Sequence, residues 1–316
     1  MGILISISGP SGLASVMITA GIFATIITVV VDVSDGSSLN LAERTVPAGA
    51  QVGIPLGSQL RATTVGTMTG KSPTINRAPT VSSAPGKVLV VTAHPDDVDF
   101  GAAGTVASWT KDGSEVAYCI ITDGAAGSVE RGVAVGELQR RRQAEQRAAA
   151  TTLGVSSVTF LGYPDGRLEV TYELRREVSR VIRQVRPDRV VCQSPERNWK
   201  RIRASHPDHL AAGEAALEAV YPDARNPYAH PELLAAGLEP FEVGEVWLMA
   251  SPRPDTFVDI TAYMDLKISA LTCHESQIAD AGRLGELVRD WGRSTAEVAG
   301  LPAGSYAEAF QVVDTH

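Results

Sequence analysis

The string Ala93-His94-Pro95-Asp96-Asp97 ends the apolar run Val88 to Val91 with one imidazole and two carboxylates in four positions. One nitrogen and several oxygen donors so close together suit a divalent metal such as zinc. The β-branched run ahead of them reads as a buried strand. The donors therefore stand at its carboxyl end, the edge at which open α/β sheets bind ligands. The same residues could instead do no more than cap the next helix. A second string, Ser205-His206-Pro207-Asp208-His209, argues against that plainer reading. A His-x-x-His pair at a loop-to-helix junction can put one imidazole on a metal and turn the other toward a substrate. Three protein ligands and an open position make up a catalytic zinc site. Such a metal would lower the pKa of water toward neutrality and polarise a carbonyl. A carboxylate that is not a ligand must then take the proton, and Asp96 is placed for it.

The elements that carry these strings alternate. Strand-like segments at 87–92, 115–121, 158–161, 189–192, 243–249 and 257–260 are separated or followed by helical ones at 101–111, 137–153, 172–185, 209–220, 263–273 and 284–299. Strands divided by helices imply βαβ units. The expected fold is a three-layer, Rossmann-like α/β domain, with a mostly parallel sheet and helices on both faces. In such a sheet every parallel strand ends at one edge, so His94, Asp97 and the segment after residue 192 can converge. The first strand is followed by His-Pro-Asp-Asp-Val-Asp-Phe-Gly, not by G-x-G-x-x-G. A dinucleotide thus lacks its phosphate turn and would meet carboxylates in its place.

Six ordered strings resemble the LmbE/PIG-L family of metal-dependent N-deacetylases: Ala93 to Asp97, Thr122-Asp123-Gly124, Arg142-x-x-Glu145 ahead of Leu153-Gly154-Val155, Gly162-Tyr163-Pro164-Asp165, His206 to His209, and His274-Glu275-Ser276-Gln277. The resemblance covers about 87–277. It implies removal of an acetyl group from an N-acetylglucosaminyl compound. It also implies zinc, with Fe2+ as the alternative, held by His94, Asp97 and His209. Asp96 would be the general base and His206 would stabilise the oxyanion. Asp208 would orient His206 and favour its charged form, and Arg142, Asp165 and His274 would lie on the substrate side. The glycine-rich helix start of the family is here Gly101-Ala102-Ala103-Gly104-Thr105, a change that could alter packing beneath the metal loop.

Plainer roles compete at several positions. Asp208 suits a helix start for its charge alone. Arg142 shares a cluster with Arg140, Arg141 and Arg147, any of which could be a solvated charge. His206 could be a cap, although Ser205 suits that better. His274 could be a packed helix residue. Trp109, Trp247 and Trp291 fall in core-like patterns, whereas Trp199, in the polar loop 196–205, could stack on a sugar.

A net charge of −8 excludes a general nucleic-acid binder. Three scattered cysteines, Cys119, Cys192 and Cys273, do not form a disulfide framework, which fits reduced thiols in a cytoplasmic catalytic domain. Residues 86–316 are expected to form that domain. Residues 1–85 form a separate extension, uncharged up to Val31 and lacking His, Cys, Trp and Tyr through residue 80. The apolar stretch 13–31 is about long enough to span a bilayer. It could be a membrane anchor, a soluble β-rich segment or an appendage foreign to the enzyme. Two other functions stay open beside deacetylation of a small amino-sugar or glycoside. One is an amidase for a larger amide such as a thiol-sugar conjugate, and the other a non-catalytic metal-containing binding or scaffold protein. The chain could also act as a homo-oligomer.

Overall fold

The computed structural model describes residues 85–127 and 134–316 and, of the amino-terminal part, the backbone of three short strands. The chain divides into two compact units, 1–73 and 74–316. In the first, β1 (Ile3–Ile7) pairs antiparallel with β2 (Leu13–Ile18), which pairs with β3 (Val31–Asp32). The start of the apolar stretch 13–31 is therefore a strand, and the rest of it up to residue 30 lies outside the described residues. Among the described residues no helix is long and apolar enough to cross a membrane.

The second unit is built on a seven-stranded sheet. Its strands are β4 (Lys87–Thr92), β5 (Glu115–Thr122), β6 (Ser157–Tyr163), β7 (Arg189–Gln193), β8 (Glu245–Met249), β9 (Thr256–Asp259) and β10 (Ala307–Asp314), in the order β6-β5-β4-β7-β8-β10-β9. The five strands from β6 to β8 are parallel. The last two pairings, β8 with β10 and β10 with β9, are antiparallel. β10 is the one strand in this sheet absent from the sequence-based expectation. Its segment follows the last helix, and it enters the sheet by returning between β8 and β9.

Helices cover both faces, as the alternation along β4 requires. Leu89 and Val91 face a core shared with α3 (Tyr172–Val185) and α4 (Pro207–Glu218). Val88 and Val90 face the opposite core with α1 (Asp97–Lys111), α2 (Val135–Thr152) and α6 (Met264–Thr272). Trp109 and Trp247 stack edge to face in that second core at 5.3 Å, in keeping with their pattern. Cys119 and Cys192 are buried free thiols and Cys273 is half-buried. A short α5 (Pro231–Ala235) and the long α7 (Ala281–Val298) complete the α-helices among the described residues of this unit.

The strand order reverses at β4, whose neighbours β5 and β7 continue the chain on opposite sides. A crevice opens at such a switch point between the carboxyl ends of adjacent strands. Both chemistry-bearing strings lead out of that edge, one after β4 and the other after β7. Gly101 and Gly104 let α1 lie close to the sheet, because a side chain at either would meet Met249 or Ile260 at under 3 Å. Ala102 and Ala103 are fully buried, so the altered glycine string is taken up within the core.

Candidate active site

Asp97 is the first residue of α1, and the helix begins there because Asp96 turns the chain with φ 90°, a left-handed conformation rare for a residue with a side chain. The Asp96 carbonyl accepts from Asp99 N and Phe100 N, closing the first turn. On the second string, His206 caps α4 by accepting Asp208 N–H on Nδ1 at 3.2 Å. The capping role and the site role thus coexist. Ser205, the better cap by type, instead accepts from Asn198 N. With Nδ1 used as an acceptor, neutral His206 carries its proton on Nε2. Burial and the charges of His94 and His209 hold its pKa below the usual histidine value.

The two strings meet. His94 Nδ1 lies 3.3 Å from Asp97 Oδ2 and 3.2 Å from His209 Nε2, and His209 Nε2 lies 3.0 Å from Asp97 Oδ1. Tetrahedral coordination at about 2.0–2.1 Å spaces ligand atoms about 3.3 Å apart. Two ring nitrogens facing each other at 3.2 Å also cannot both bear protons. The donor set therefore fits a small divalent cation. His206 lies close enough to join His94 and His209 around one ion as well.

The far side of His94 departs from expectation. Its Nε2 lies 3.1 Å from Asp165 Oδ1 and 3.2 Å from Asp208 Oδ2. The Asp208 carboxylate therefore backs His94, and it is the Asp208 N–H that meets the His206 ring. α4 points its carboxylate inward, where it also accepts from Gly166 N and Leu168 N. Asp165 likewise sits against His94 and accepts from Ala126 N. Burial opposes a charged His94, but its bonds to Asp165 and Asp97 prevail and raise its pKa to about 11. Asp97 stays ionised well below the usual carboxylate range despite burial, because His209 and His94 face it. His209 is raised by Asp97 against the opposing effect of burial.

Before Nδ1 can act as a ligand, its proton must leave. Metal loading is therefore expected to release protons, and apparent affinity to rise with pH through neutrality. Calorimetric titration in buffers of differing ionisation enthalpy counts them; loading without proton release would contradict the arrangement.

Asp96 is not part of the ligand triangle. Burial, and then the charge of Asp97, raise its pKa to about 6 against the opposing pull of Arg142. Of the four clustered arginines only Arg142 is buried. It donates to Gly124 O and Pro95 O at 2.7 Å and to Asp96 Oδ2 at 3.2 Å. Gly124, at φ 66°, and Gly127 permit this approach, since a side chain at either would strike its guanidinium. The open cleft, ≈ 250 Å³, is lined by His94, Asp96, Arg142, Asp165, His206 and Gln277, together with the backbone around Ala126 and Gly166.

His274 does not reach this cleft. It is fully buried, with Nε2 2.8 Å from Asp99 Oδ2, because the turn after α6 tucks it between α1 and α2. Its neighbour Gln277 lines the cleft instead; it belongs to the same string, but residue type favoured the histidine. Trp199 is 80% exposed and outside the lining. Gln193 was also not anticipated. It ends β7, donates to Asp97 Oδ2 at 2.8 Å and accepts from Ala93 N at 3.0 Å. A polar residue closing an apolar strand at the ligand edge is the signal that marks it. Outer partners of this kind are worth about 10–100-fold in metal affinity. Gln193→Leu is expected to lose that much in a competitive chelator titration; unchanged affinity would remove Gln193 from the site.

Residues 89–220 match the family described as PIG-L, GlcNAc-PI de-N-acetylase. A diacetylchitobiose deacetylase of Thermococcus kodakarensis is 36% identical over 228 residues, 72% of this chain and 83% of that protein. A probable N-acetyl-alpha-D-glucosaminyl L-malate deacetylase 2 of Bacillus anthracis is 30% identical, covering 65% of this chain and 86% of its own length. The solved structure of N,N'-diacetylchitobiose deacetylase from Pyrococcus horikoshii superposes with a TM-score of 0.67 at 30% identity, over 73% of this chain and 84% of that one.

Proposed function

Because this chain belongs to the PIG-L family, we propose that it removes the N-acetyl group from a small N-acetylglucosaminyl compound, a short chito-oligosaccharide in particular, using zinc. The observation that carries this reading is the separation of roles on one turn of chain: Asp97 sits in the ligand triangle while Asp96, next to it, faces the cleft. His94, Asp97 and His209 would hold a divalent cation, which when bound would supply the Lewis acidity for activating water and polarising the acetamide carbonyl.

In this reading the chain's own groups do the rest. Asp96 takes the proton of the attacking water and later delivers it to the leaving amine, for which a carboxylate poised near neutrality is suited. His206 presents Nε2–H to the oxygen on which charge develops. Arg142 holds Asp96 and the Gly124 loop in place, and Gln277 offers an amide to a sugar hydroxyl. Asp165 and Asp208 hold the His94 ring with Nδ1 toward the ion. Relatives named for diacetylchitobiose and for a glucosaminyl malate support a GlcNAc unit with a variable aglycone.

Acetate release from N,N'-diacetylchitobiose, N-acetylglucosaminyl malate and an N-acetylglucosaminyl inositol, beside amine release from an amide with a larger acyl group, tests the reading. Turnover of the acetamides, fastest on the disaccharide, is the expected result. Cleavage of only the larger acyl group would replace it with the amidase reading.

A further inference from the structure

We propose that Gln146 is a positioning residue, locked by Asp99 and His274, that holds the backbone of Asp96 and thereby aims its carboxylate; this rests on the reading of Asp96 as the proton-transferring group. The three residues are fully buried, and none lines the cleft. They form one chain of hydrogen bonds from the turn after α6 to the metal loop. His274 Nε2 meets Asp99 Oδ2 at 2.8 Å, Gln146 Nε2 donates to that same oxygen at 2.8 Å, and Asp96 N donates to Gln146 Oε1 at 2.7 Å.

The polarity of this chain leaves one arrangement. Asp96 N–H can only donate, so the amide oxygen of Gln146 must face it, and the NH2 side is left to donate to Asp99. Gln146 thus satisfies the one backbone donor of a residue held at φ 90°, a conformation that persists only where its surroundings enforce it. Arg142 grips the Asp96 side chain and the preceding carbonyl, but not this N–H.

The network is also imperfect as a packing device. Asp99 Oδ1 and His274 Nδ1 are buried without partners. An apolar trio would avoid that cost. Burying an under-satisfied carboxylate two residues from Asp97 makes sense if the amide orientation it imposes is what is needed.

Gln146→Glu keeps shape and an acceptor for Asp96 N–H but has no hydrogen to give Asp99. It is expected to lower kcat by about 100-fold, the scale of a 1 Å misplacement, with KM and metal content at wild-type values. Adding Asp99→Asn to it restores the donor with reversed polarity and is expected to recover most of the loss. Wild-type kcat in Gln146→Glu, a loss carried by KM or metal content, or no recovery in the double variant would overturn the proposal. Should Gln146→Glu not fold, His274→Gln and His274→Leu carry the test. The first keeps a donor toward Asp99 and should hold kcat, the second should lose it, and equal rates overturn the proposal. Asp96→Ala measured alongside separates the two claims. If that variant is active, the assignment of Asp96 falls; if it is inactive beside a fully active Gln146→Glu, only the positioning role falls.

Discussion

Asp96→Ala is expected to bind metal as the wild type does and to lose about 10²–10⁴-fold in kcat, the usual contribution of a positioned acid–base group. The two halves of that result have separate causes. Metal content should hold because the Asp96 carboxylate stands outside the contacts joining His94, Asp97 and His209. Turnover should fall because Asp96 is the carboxylate beside those ligands that faces the cleft without backing His94. Asp165, which also lines the cleft, is engaged by His94 and Ala126. Losing the Asp96 side chain also frees one Arg142 contact, but that guanidinium keeps its two carbonyl partners at 2.7 Å, so the loop remains braced. Equilibrium dialysis with metal analysis, beside a steady-state assay, reads both quantities on one preparation.

The opposite pattern is expected at the ligands. His209→Ala should weaken metal binding by more than the roughly 10–100-fold attributed to an outer partner, and activity should follow metal occupancy. His94→Ala should do the same and also cost stability. Asp165 and Asp208 both lean on His94 Nε2, and removing one member of a buried charged cluster costs about 3–5 kcal/mol. Among the described residues His209 has only Asp97 as an ionic partner, so its variant is the cleaner probe. A chelator titration and a thermal melt on each variant separate the two effects. Wild-type metal affinity in His209→Ala would remove it from the ligand set.

Much of this architecture was legible because residue type and position pointed the same way. Val88 to Val91 ahead of His-Pro-Asp-Asp read as a buried strand delivering polar groups to an edge, and Tyr172 to Val185 formed a helix that stops just before Pro187, as expected. β10 escaped because nothing in Ala307–Asp314 says that it must pair antiparallel between two earlier strands. In the site, strings with two or more chemical groups were readable, whereas lone polar residues inside buried elements were not. Gln193 and Gln146 each look like one polar residue in an otherwise ordinary strand or helix, and their partners lie 96 and 50 positions away. Asp208 illustrates a different limit. The family resemblance pairs it with His206, but the pitch of α4 turns its carboxylate to His94 and leaves its N–H on the His206 ring. Likewise His274 carried the suggestive residue type while the turn that holds it put Gln277 into the cleft.

The central claim is that this chain, with a divalent ion on His94, Asp97 and His209, hydrolyses the acetamide of a GlcNAc unit. Acetate released from N,N'-diacetylchitobiose by the purified chain tests it most directly, measured as prepared, after chelation, and after readdition of Zn2+. Release that stops on chelation and returns with the metal is the expected result. A metal-loaded chain that binds the disaccharide without releasing acetate from it, or from any other N-acetylglucosaminyl compound, would contradict the account.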